Sequence, residues 1–185
     1  MSEEKSRRSA RLNLIAIAAI ALLPLVGSYL LYWFWKPSTF VNYGELLAAP
    51  LPELQAAAAL PQLKGKWAFL MVDSGSCDEW CTRKLYIMRQ VRLTQGKDMD
   101  RVERVWLLDD ADVPPAALIG EYAGTHLLQA PSEALLAKLP ATSSVRDHIY
   151  LVDPLGNLVL RYPRDADPSR IKKDLSRLLR ASRIG

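Results

Sequence analysis

The sequence predicts an α/β domain with a central mixed sheet flanked by helices, preceded by one N-terminal transmembrane helix. Apolar runs rich in β-forming residues alternate with segments that favour helix, and this alternation favours parallel strands with helices on both faces. Near the C-terminus a Pro/Gly turn joins two further apolar runs, which predicts an antiparallel hairpin. A long stretch without charge near the N-terminus predicts the membrane helix.

The charge-free stretch runs from Leu12 to Trp35, which is 24 residues. At about 1.5 Å per residue it can cross a hydrocarbon core of about 30 Å. Four basic residues precede it and only Lys36 stands directly after it, so the positive-inside rule places the N-terminus in the cytoplasm. We expect a single-pass protein of a bacterial inner membrane with its soluble domain in the periplasm. A cleaved signal peptide is the alternative.

These patterns divide the chain into four predicted segments: a cytoplasmic basic tail (1–11), the transmembrane helix (12–35), a proline-interrupted connector (36–64) and the α/β domain (65–185). Residues 43–47 of the connector could form a short strand or hairpin.

After Trp35 the chain carries 20 Lys and Arg against 18 Asp and Glu, a balance that argues against nucleic acid as a partner. The stretch 161–185 differs, with 8 basic and 3 acidic residues. A solvated helix face explains it, and so does a surface for anionic lipid or an acidic partner.

The domain has a predictable order of elements. They are a strand at 67–72, a helix to about 92, a strand at 104–108, a helix at 114–122, a short strand at 125–129, a helix at 131–139, strands at 148–152 and 158–162, and a helix at 170–181. Pro114 suits the first turn of a helix. Pro154 and Gly156 form the turn between the last two strands. Asp167 caps the final helix, whose apolar residues share one face.

The chain has two cysteines, Cys77 and Cys81, and they lie where the first strand passes into its helix. In α/β folds, sites lie at the carboxyl ends of strands. Residues i and i+4 share one helical face about 6 Å apart, which suits two thiolates on one metal ion and also a disulfide. A helix N-terminus favours a Cys77 thiolate, whereas the charges of Asp78 and Glu79 disfavour it. The spacing indicates a metal pair, a redox pair or a structural bridge.

The strand that ends in a C-x-x-x-C helix, the late D-P-x-G hairpin and the terminal helix together resemble the thioredoxin superfamily. Within it, the chain is most similar to the SCO/SenC group of membrane-anchored cytochrome c oxidase assembly proteins. The shared features are the N-terminal span, the K-G-K-W sequence before the first strand, both cysteines and the Y-L-V-D-P-L-G-N hairpin at 150–157. The resemblance covers residues 65–179. It implies a thioredoxin-like fold, with a role in handling copper or reducing a cysteine pair during assembly of the dinuclear copper centre.

The resemblance also implies a ligand set of two thiolates and one histidine. Soft thiolates suit Cu(I), and an imidazole lets the site hold Cu(II) as well. Cys77 and Cys81 supply the sulfurs. The family's histidine falls at Val145 here, so His148 is the candidate third ligand and His126 a less favoured one.

Two other positions also depart from the family pattern. The family has proline after each cysteine, whereas this chain has Asp78 and Thr82.

Three functions remain open on the sequence, and so does the question of whether the protein is an enzyme. The first is copper handling through Cys77, Cys81 and His148, with a cytochrome c oxidase subunit or another copper-pathway protein as partner. The second is a thiol–disulfide oxidoreductase that keeps partner cysteines reduced. The third is a tethered scaffold whose disulfide is structural. General oxidoreductases of this fold use C-x-x-C and a proline before the late strand, and this chain has neither.

Overall fold

The computed structural model describes residues 2–34, 42–49, 65–130 and 133–182. The chain divides into two compact units, Met1–Val41 and Asn42–Gly185. The first unit contains the helix α1 (Ser2–Phe34). Within it, Arg11–Phe34 is 24 residues long with a mean hydropathy of 2.4, and is long and apolar enough to cross a membrane. Membrane anchors and signal sequences share this length and composition.

The second unit contains, among its described residues, a mixed six-stranded sheet with helices on both faces. The strands are β1 (Glu45–Ala49), β2 (Trp67–Asp73), β3 (Val102–Leu108), β4 (Thr125–Gln129), β5 (His148–Val152) and β6 (Leu158–Pro163). The helices are α2 (Glu79–Leu93), α3 (Ala116–Glu121), α4 (Glu133–Lys138) and α5 (Pro168–Ala181), with 3-10 turns at Gly96–Arg101 and Val145–Asp147. The strand order is β1-β6-β5-β2-β3-β4.

The central strand β2 is buried along its whole length, as its continuous apolar sequence predicts. It pairs in parallel with β3, so that Asp73 lies opposite Leu108. On its other side it pairs antiparallel with β5, so that Met71 lies opposite Ile149. The ends of β2 and β3 therefore meet the start of β5 at one edge of the sheet. We call this the carboxyl edge.

Side chains alternate between the two faces of the sheet and so form two separate cores. One core lies beneath α2 and α5 and includes Met71 and Cys81. The other lies beneath α4 and includes Val72, Leu135 and Tyr150. The face on which a residue lies therefore decides whether its side chain can approach the cysteines.

The chain enters this domain along α5. Buried Asp174 accepts hydrogen bonds from the backbone N–H groups of Tyr43, at 2.9 and 3.2 Å, and of Gly44, at 2.9 Å. The backbone N–H of Asp167 donates to the Tyr43 hydroxyl at 3.2 Å, and the Arg170 guanidinium lies 3.9 Å from the centre of the Tyr43 ring. Charge-assisted bonds of this kind are among the stronger ones in proteins, so residues 43 and 44 are firmly tied to α5.

The predicted fold class is confirmed, and the elements agree with a few differences. A strand does form near residues 43–47, as β1, and it pairs with β6. Helix α3 begins at Ala116 rather than at Pro114, with Pro115 at its N-cap. The predicted start of α4 at residues 131–132, and most of the connector at 36–64, lie outside the described residues.

Candidate functional site

Cys77 and Cys81 form a disulfide at the carboxyl edge, with their Cα atoms 5.1 Å apart. Cys77 precedes α2, and its backbone has a positive φ of 44°, which non-glycine residues seldom adopt. Its N–H donates to the Ser74 carbonyl at 3.2 Å, closing a turn. The expectation that both cysteines share one helical face is therefore wrong. The turn between β2 and α2, rather than a helical repeat, brings the two sulfur atoms together.

The two sulfurs differ in exposure. Cys81 is 0% exposed and belongs to the core beneath α2, whereas Cys77 is only partly buried. Asp78 begins the helix as its N-cap, because its carboxylate accepts the backbone N–H of Cys81 at 2.8 Å. Aspartate is a favoured residue at this position because it satisfies a backbone donor that the helix leaves open. The helix start thus fixes the inner sulfur and leaves the outer one towards solvent.

The loop after β3 closes one side of the disulfide turn. The Asp110 carboxylate accepts backbone N–H groups from Gly75, at 3.0 Å, and from Asp112, at 3.2 Å. Hydrogen bonds from the Ser74 side chain and from these amides hold the pKa of Asp110 below its usual value. A Cβ atom at Gly75 would overlap the backbone carbonyl of Asp112. Glycine is therefore required where the turn meets this loop.

A buried ion pair joins α2 to the end of β2. Lys84, three residues after Cys81 in α2, is 0% exposed, and its Nζ lies 2.7 Å from a carboxylate oxygen of Asp73. The same Nζ donates to the Val72 carbonyl at 3.1 Å and to the Arg146 carbonyl. An ammonium group has three hydrogens to donate, and here three acceptors receive them. Burial lowers the pKa of Lys84, and the neighbouring Asp73 carboxylate opposes that shift.

Arg146 joins this pair to the loop after β3. Its Nε and a terminal nitrogen donate to the two carboxylate oxygens of Asp109, at 2.7 and 2.8 Å. This bidentate pair raises the pKa of Arg146. The backbone carbonyl of Arg146 meanwhile accepts from Lys84. The ends of β2 and β3 and the turn before β5 are therefore held together by charged side chains.

His148 starts β5, as predicted, but its ring lies on the face away from the inner cysteine. Side chains alternate along a strand, so His148 shares the face of Tyr150, and the two rings are in edge contact at 5.9 Å. Its Nε2 accepts the backbone N–H of Thr142 at 3.3 Å, and Nδ1 lies 3.3 Å from the Tyr162 carbonyl. Nε2 is therefore unprotonated, and Nδ1 carries the hydrogen and donates it. Burial and nearby Arg161 lower the pKa of His148.

The second histidine, His126, lies in β4 and is paired with Glu103, with 3.2 Å between Nε2 and Oε2. Within residues 2–34, 42–49, 65–130 and 133–182, no group of three His, Cys, Asp or Glu side chains is arranged to hold a metal ion. Both sulfurs are used by the disulfide, and both nitrogens of His148 are hydrogen-bonded. In this oxidised arrangement the residues do not fit a copper ion bound by Cys77, Cys81 and His148.

An exposed aromatic residue lies between the two cysteines in sequence. This residue is Trp80, and its side chain is 39% exposed. The Arg164 guanidinium lies 4.3 Å from the centre of its ring, and Arg164 is paired with Asp147 at 3.2 Å. Cation–π contact of this kind holds a large aromatic side chain in place at a surface.

Sequence reasoning missed Lys84 and Arg146 as parts of this site. Lys84 had a usable signal, since it lies one helical turn after Cys81 and directly before the apolar residue Leu85. A lysine on the buried stripe of a helix needs a partner, and Asp73 at the end of the preceding strand was available. Arg146 gave no comparable signal, because its contacts join loops that are far apart in sequence.

Comparisons with known proteins agree with this architecture. Residues 67–182 match the family model described as "Transmembrane-like, thioredoxin-like, C-terminal domain". No curated protein matches the chain.

Three similar solved structures are of SCO proteins. Copper-bound yeast Sco1 is 18% identical with a TM-score of 0.53, covering 65% of this chain and 82% of that one. Apo Sco1 from Thermus thermophilus is 18% identical with a TM-score of 0.52, covering 76% and 99%. A SCO1/SenC family lipoprotein from Bacillus anthracis is 19% identical with a TM-score of 0.50, covering 64% and 84%.

At these identities, the likeness to solved structures shows the fold. The thioredoxin-like fold implied by the C-x-x-x-C helix and the late hairpin is confirmed, and the domain resembles SCO1/SenC proteins in structure. The family model begins at the first residue of β2 and ends one residue after α5, so it includes the cysteine pair and the buried Lys84–Asp73 ion pair. The chain therefore belongs to the family described as "Transmembrane-like, thioredoxin-like, C-terminal domain".

Proposed function

We propose that this protein exchanges disulfides with an exported partner and keeps the partner's cysteines reduced, using Cys77 and Cys81. The observation that supports the proposal is the unequal exposure of the two sulfurs, since Cys77 is partly buried and Cys81 is 0% exposed. A sulfur that attacks a partner must be reachable from solvent. A sulfur that resolves the mixed disulfide needs to reach only its neighbour in the same chain.

The exchange balances as a transfer of two electrons and two protons. In the reduced protein, the Cys77 thiolate attacks one sulfur of the partner's disulfide, and the other partner sulfur leaves as a thiolate that takes a proton from water. The Cys81 thiolate then attacks Cys77 Sγ and releases the second partner sulfur. The partner ends as a dithiol, and this chain ends with the Cys77–Cys81 disulfide. A separate dithiol reductant must reduce that disulfide before another cycle.

The charged groups around the pair support this chemistry. Lys84 follows Cys81 by three residues on α2, and residues at that spacing are neighbours on a helix surface. A nearby cation favours the thiolate form of a cysteine. The Asp73 carboxylate at 2.7 Å from Lys84 Nζ moderates that effect. The spacing of Lys84 from Cys81 on α2 thus supports thiol chemistry at the inner sulfur, and Asp73 limits its effect.

The test is exchange between the reduced full-length protein and a peptide disulfide, followed by mass spectrometry. We expect wild type to produce peptide dithiol in equal amount to its own disulfide. The Cys77→Ser, Cys81→Ser double variant is the matched control and should produce none. Peptide reduction at the same rate with both proteins, or with neither, would remove the proposal.

A second candidate is copper handling during cytochrome c oxidase maturation, with an oxidase subunit or another copper-pathway protein as partner. The C-x-x-x-C spacing and the fold shared with copper-bound yeast Sco1 favour it. Copper would be cargo, bound after the disulfide is reduced. Two thiolates alone could hold Cu(I) in linear geometry, since soft sulfur ligands suit this ion.

In this candidate, His148 would join the sulfurs only after leaving Thr142 and Tyr162. Titration of the reduced protein with Cu(I) against a competing chelator tests both parts. Binding equal to that of the Cys77→Ser, Cys81→Ser variant would eliminate copper handling. Unchanged affinity for Cu(I) and Cu(II) in His148→Ala would eliminate the histidine as a ligand.

We infer that α1 anchors the protein by a single pass in a bacterial inner membrane, with the N-terminus in the cytoplasm and the domain in the periplasm. The length and hydropathy of Arg11–Phe34 and the basic residues before it support this. Intact mass of the protein recovered from membranes tests it. A mature chain that begins after the apolar stretch would show a cleaved signal peptide instead.

A further inference from the structure

Helix α5 carries charge of one sign on its exposed side. Its exposed basic residues are Arg170, Lys172, Lys173, Arg177 and Arg180. Its one acidic residue, Asp174, is 2% exposed and turned inward. Four of the five basic residues recur at intervals of three and four, so they form one stripe. The stripe lies opposite Ile171 and Leu175, which pack into the core beneath the helix.

The same helix holds the part of the chain that follows the proposed anchor. Asp174 accepts the N–H groups of Tyr43 and Gly44, and Arg170 covers the Tyr43 ring. Eight residues separate Phe34, at the end of α1, from Tyr43. Even fully extended, a chain of that length spans only about 30 Å. In an anchored protein, α5 is therefore held by a short tether to the membrane surface.

The short linker and the basic charge of α5 both favour contact between this helix and the membrane surface. A short linker keeps the basic side chains at high effective concentration near the lipid headgroups. Anionic headgroups attract Lys and Arg within about one Debye length, which is about 8 Å at physiological salt. The rest of the exported chain, residues 36–160, has 12 basic and 15 acidic residues, so the basic excess falls in residues 161–185. An anionic surface close to the anchor would therefore complement the basic face of α5.

We propose that the basic face of α5 rests on anionic lipid headgroups of the membrane that α1 crosses. The proposal depends on the anchoring role proposed above for α1, and not on the chemistry of the cysteines. Because α5 lies on the same face of the sheet as α2, the opposite face with α4 would point away from the bilayer.

The position of α5 on the sheet determines the direction in which the disulfide would face in this arrangement. The helix follows β6, whose last residue, Pro163, pairs with His148 at the carboxyl edge. Its other end lies at the opposite edge, where Arg101, just before β3, donates to the carbonyls of Leu179 and Ser182. A helix that runs from edge to edge and lies flat on lipid places the strands along the membrane surface. The carboxyl edge and its disulfide then open sideways, towards partners that are themselves bound to the same membrane.

The experiment places the full-length protein in nanodiscs that carry a gadolinium chelate on a fraction of their headgroups. Roughly a third of the lipid is phosphatidylglycerol in one preparation, and all of it is phosphatidylcholine in the other. Paramagnetic relaxation of backbone amides is measured by NMR. Among the amides that follow residue 42, we expect relaxation with anionic lipid to be strongest along α5 and weakest along α4. We expect the contrast to disappear with neutral lipid, and at about 1 M salt, where the Debye length is about 3 Å.

The Lys173→Gln, Arg177→Gln, Arg180→Gln variant should lose the contrast. The matched control removes three exposed charges elsewhere, as Arg83→Gln, Lys97→Gln, Lys138→Gln, and should keep it. Equal relaxation on both faces, or a contrast that survives in neutral lipid, would overturn the proposal. A contrast between α5 and α4 that appears only after an acidic protein is added would also overturn it. A chain that fails to co-elute with nanodiscs would overturn the anchor as well, whereas co-elution without contrast overturns the α5 proposal alone.

Discussion

Replacing Lys84 with methionine tests whether the buried ion pair holds the carboxyl edge together. The Lys84 ammonium is bonded to the Asp73 carboxylate at 2.7 Å, to the Val72 carbonyl at 3.1 Å and to the Arg146 carbonyl. Methionine keeps much of the aliphatic stem, so the change removes the charge and three donors more than it removes volume. The side chain of Asp73 is 8% exposed, so its carboxylate cannot recover full hydration from solvent.

The expected loss follows from that geometry. Removing one partner of a buried pair costs about 3–5 kcal/mol, because the other charge stays buried without compensation. That is a large part of the about 5–15 kcal/mol by which a typical domain is stable. Adding Asp73→Asn removes the stranded charge, so the double variant should be more stable than Lys84→Met alone. The coupling between the two positions should be about 1–3 kcal/mol.

Urea unfolding of the full-length protein in detergent, followed by near-UV circular dichroism, measures these differences. The exposed Lys97→Met is the matched control and should stay within about 0.5 kcal/mol of wild type. A loss below about 1 kcal/mol in Lys84→Met, or a double variant less stable than the single one, would refute the reasoning. The double variant keeps the test decisive if the single variant fails to fold.

Three further changes test separate parts of the site. Asp78→Ala removes the N-cap of α2 and should lower the free energy of unfolding by about 1 kcal/mol, whereas Asp78→Asn should restore most of it in the same urea assay. Gly75→Ala should lower the free energy of unfolding by about 1–3 kcal/mol, because the new Cβ displaces the Asp112 backbone. The control, Gly120→Ala, changes a helical position with open space around it and should be neutral or stabilising. Equal melting temperatures for the two variants would contradict this expectation. Burial lowers the pKa of His148 from 6.5, so the unfolded chain takes up the proton first as pH falls. The contribution of His148 to stability is therefore complete above about pH 6.5 and is lost below it. Melts of His148→Gln at about pH 7.5 and pH 5.5 should show a smaller pH dependence than wild type, and an unchanged one would contradict the assignment.

The elements that the sequence predicts well are those whose signals are local. Strand β2 is a continuous apolar run, the turn at Pro154 and Gly156 separates two strands, and α5 has apolar residues on one face with Asp167 as its cap. Each of these signals depends on residues only a few positions apart.

The details of the site depend on distant contacts and could not be predicted. Cys77 takes a left-handed conformation within a turn that packs against the loop after β3, so helical spacing misplaces it. The sequence offers Asp73 as a partner for Lys84, but it does not show the second contact, with the Arg146 carbonyl, which is 62 residues away. Which face of the sheet His148 occupies depends on where α2 packs, and no local pattern records that.

The difference between the two sulfurs can be measured directly. Reduced full-length Cys81→Ser and Cys77→Ser proteins are each mixed with a peptide disulfide, and covalent adducts are counted by mass spectrometry. Because Cys77 is partly exposed and Cys81 is 0% exposed, we expect a stable mixed disulfide with Cys81→Ser and little or none with Cys77→Ser. Adducts formed equally by both variants, or only by Cys77→Ser, would contradict the assignment of Cys77 as the sulfur that meets the partner.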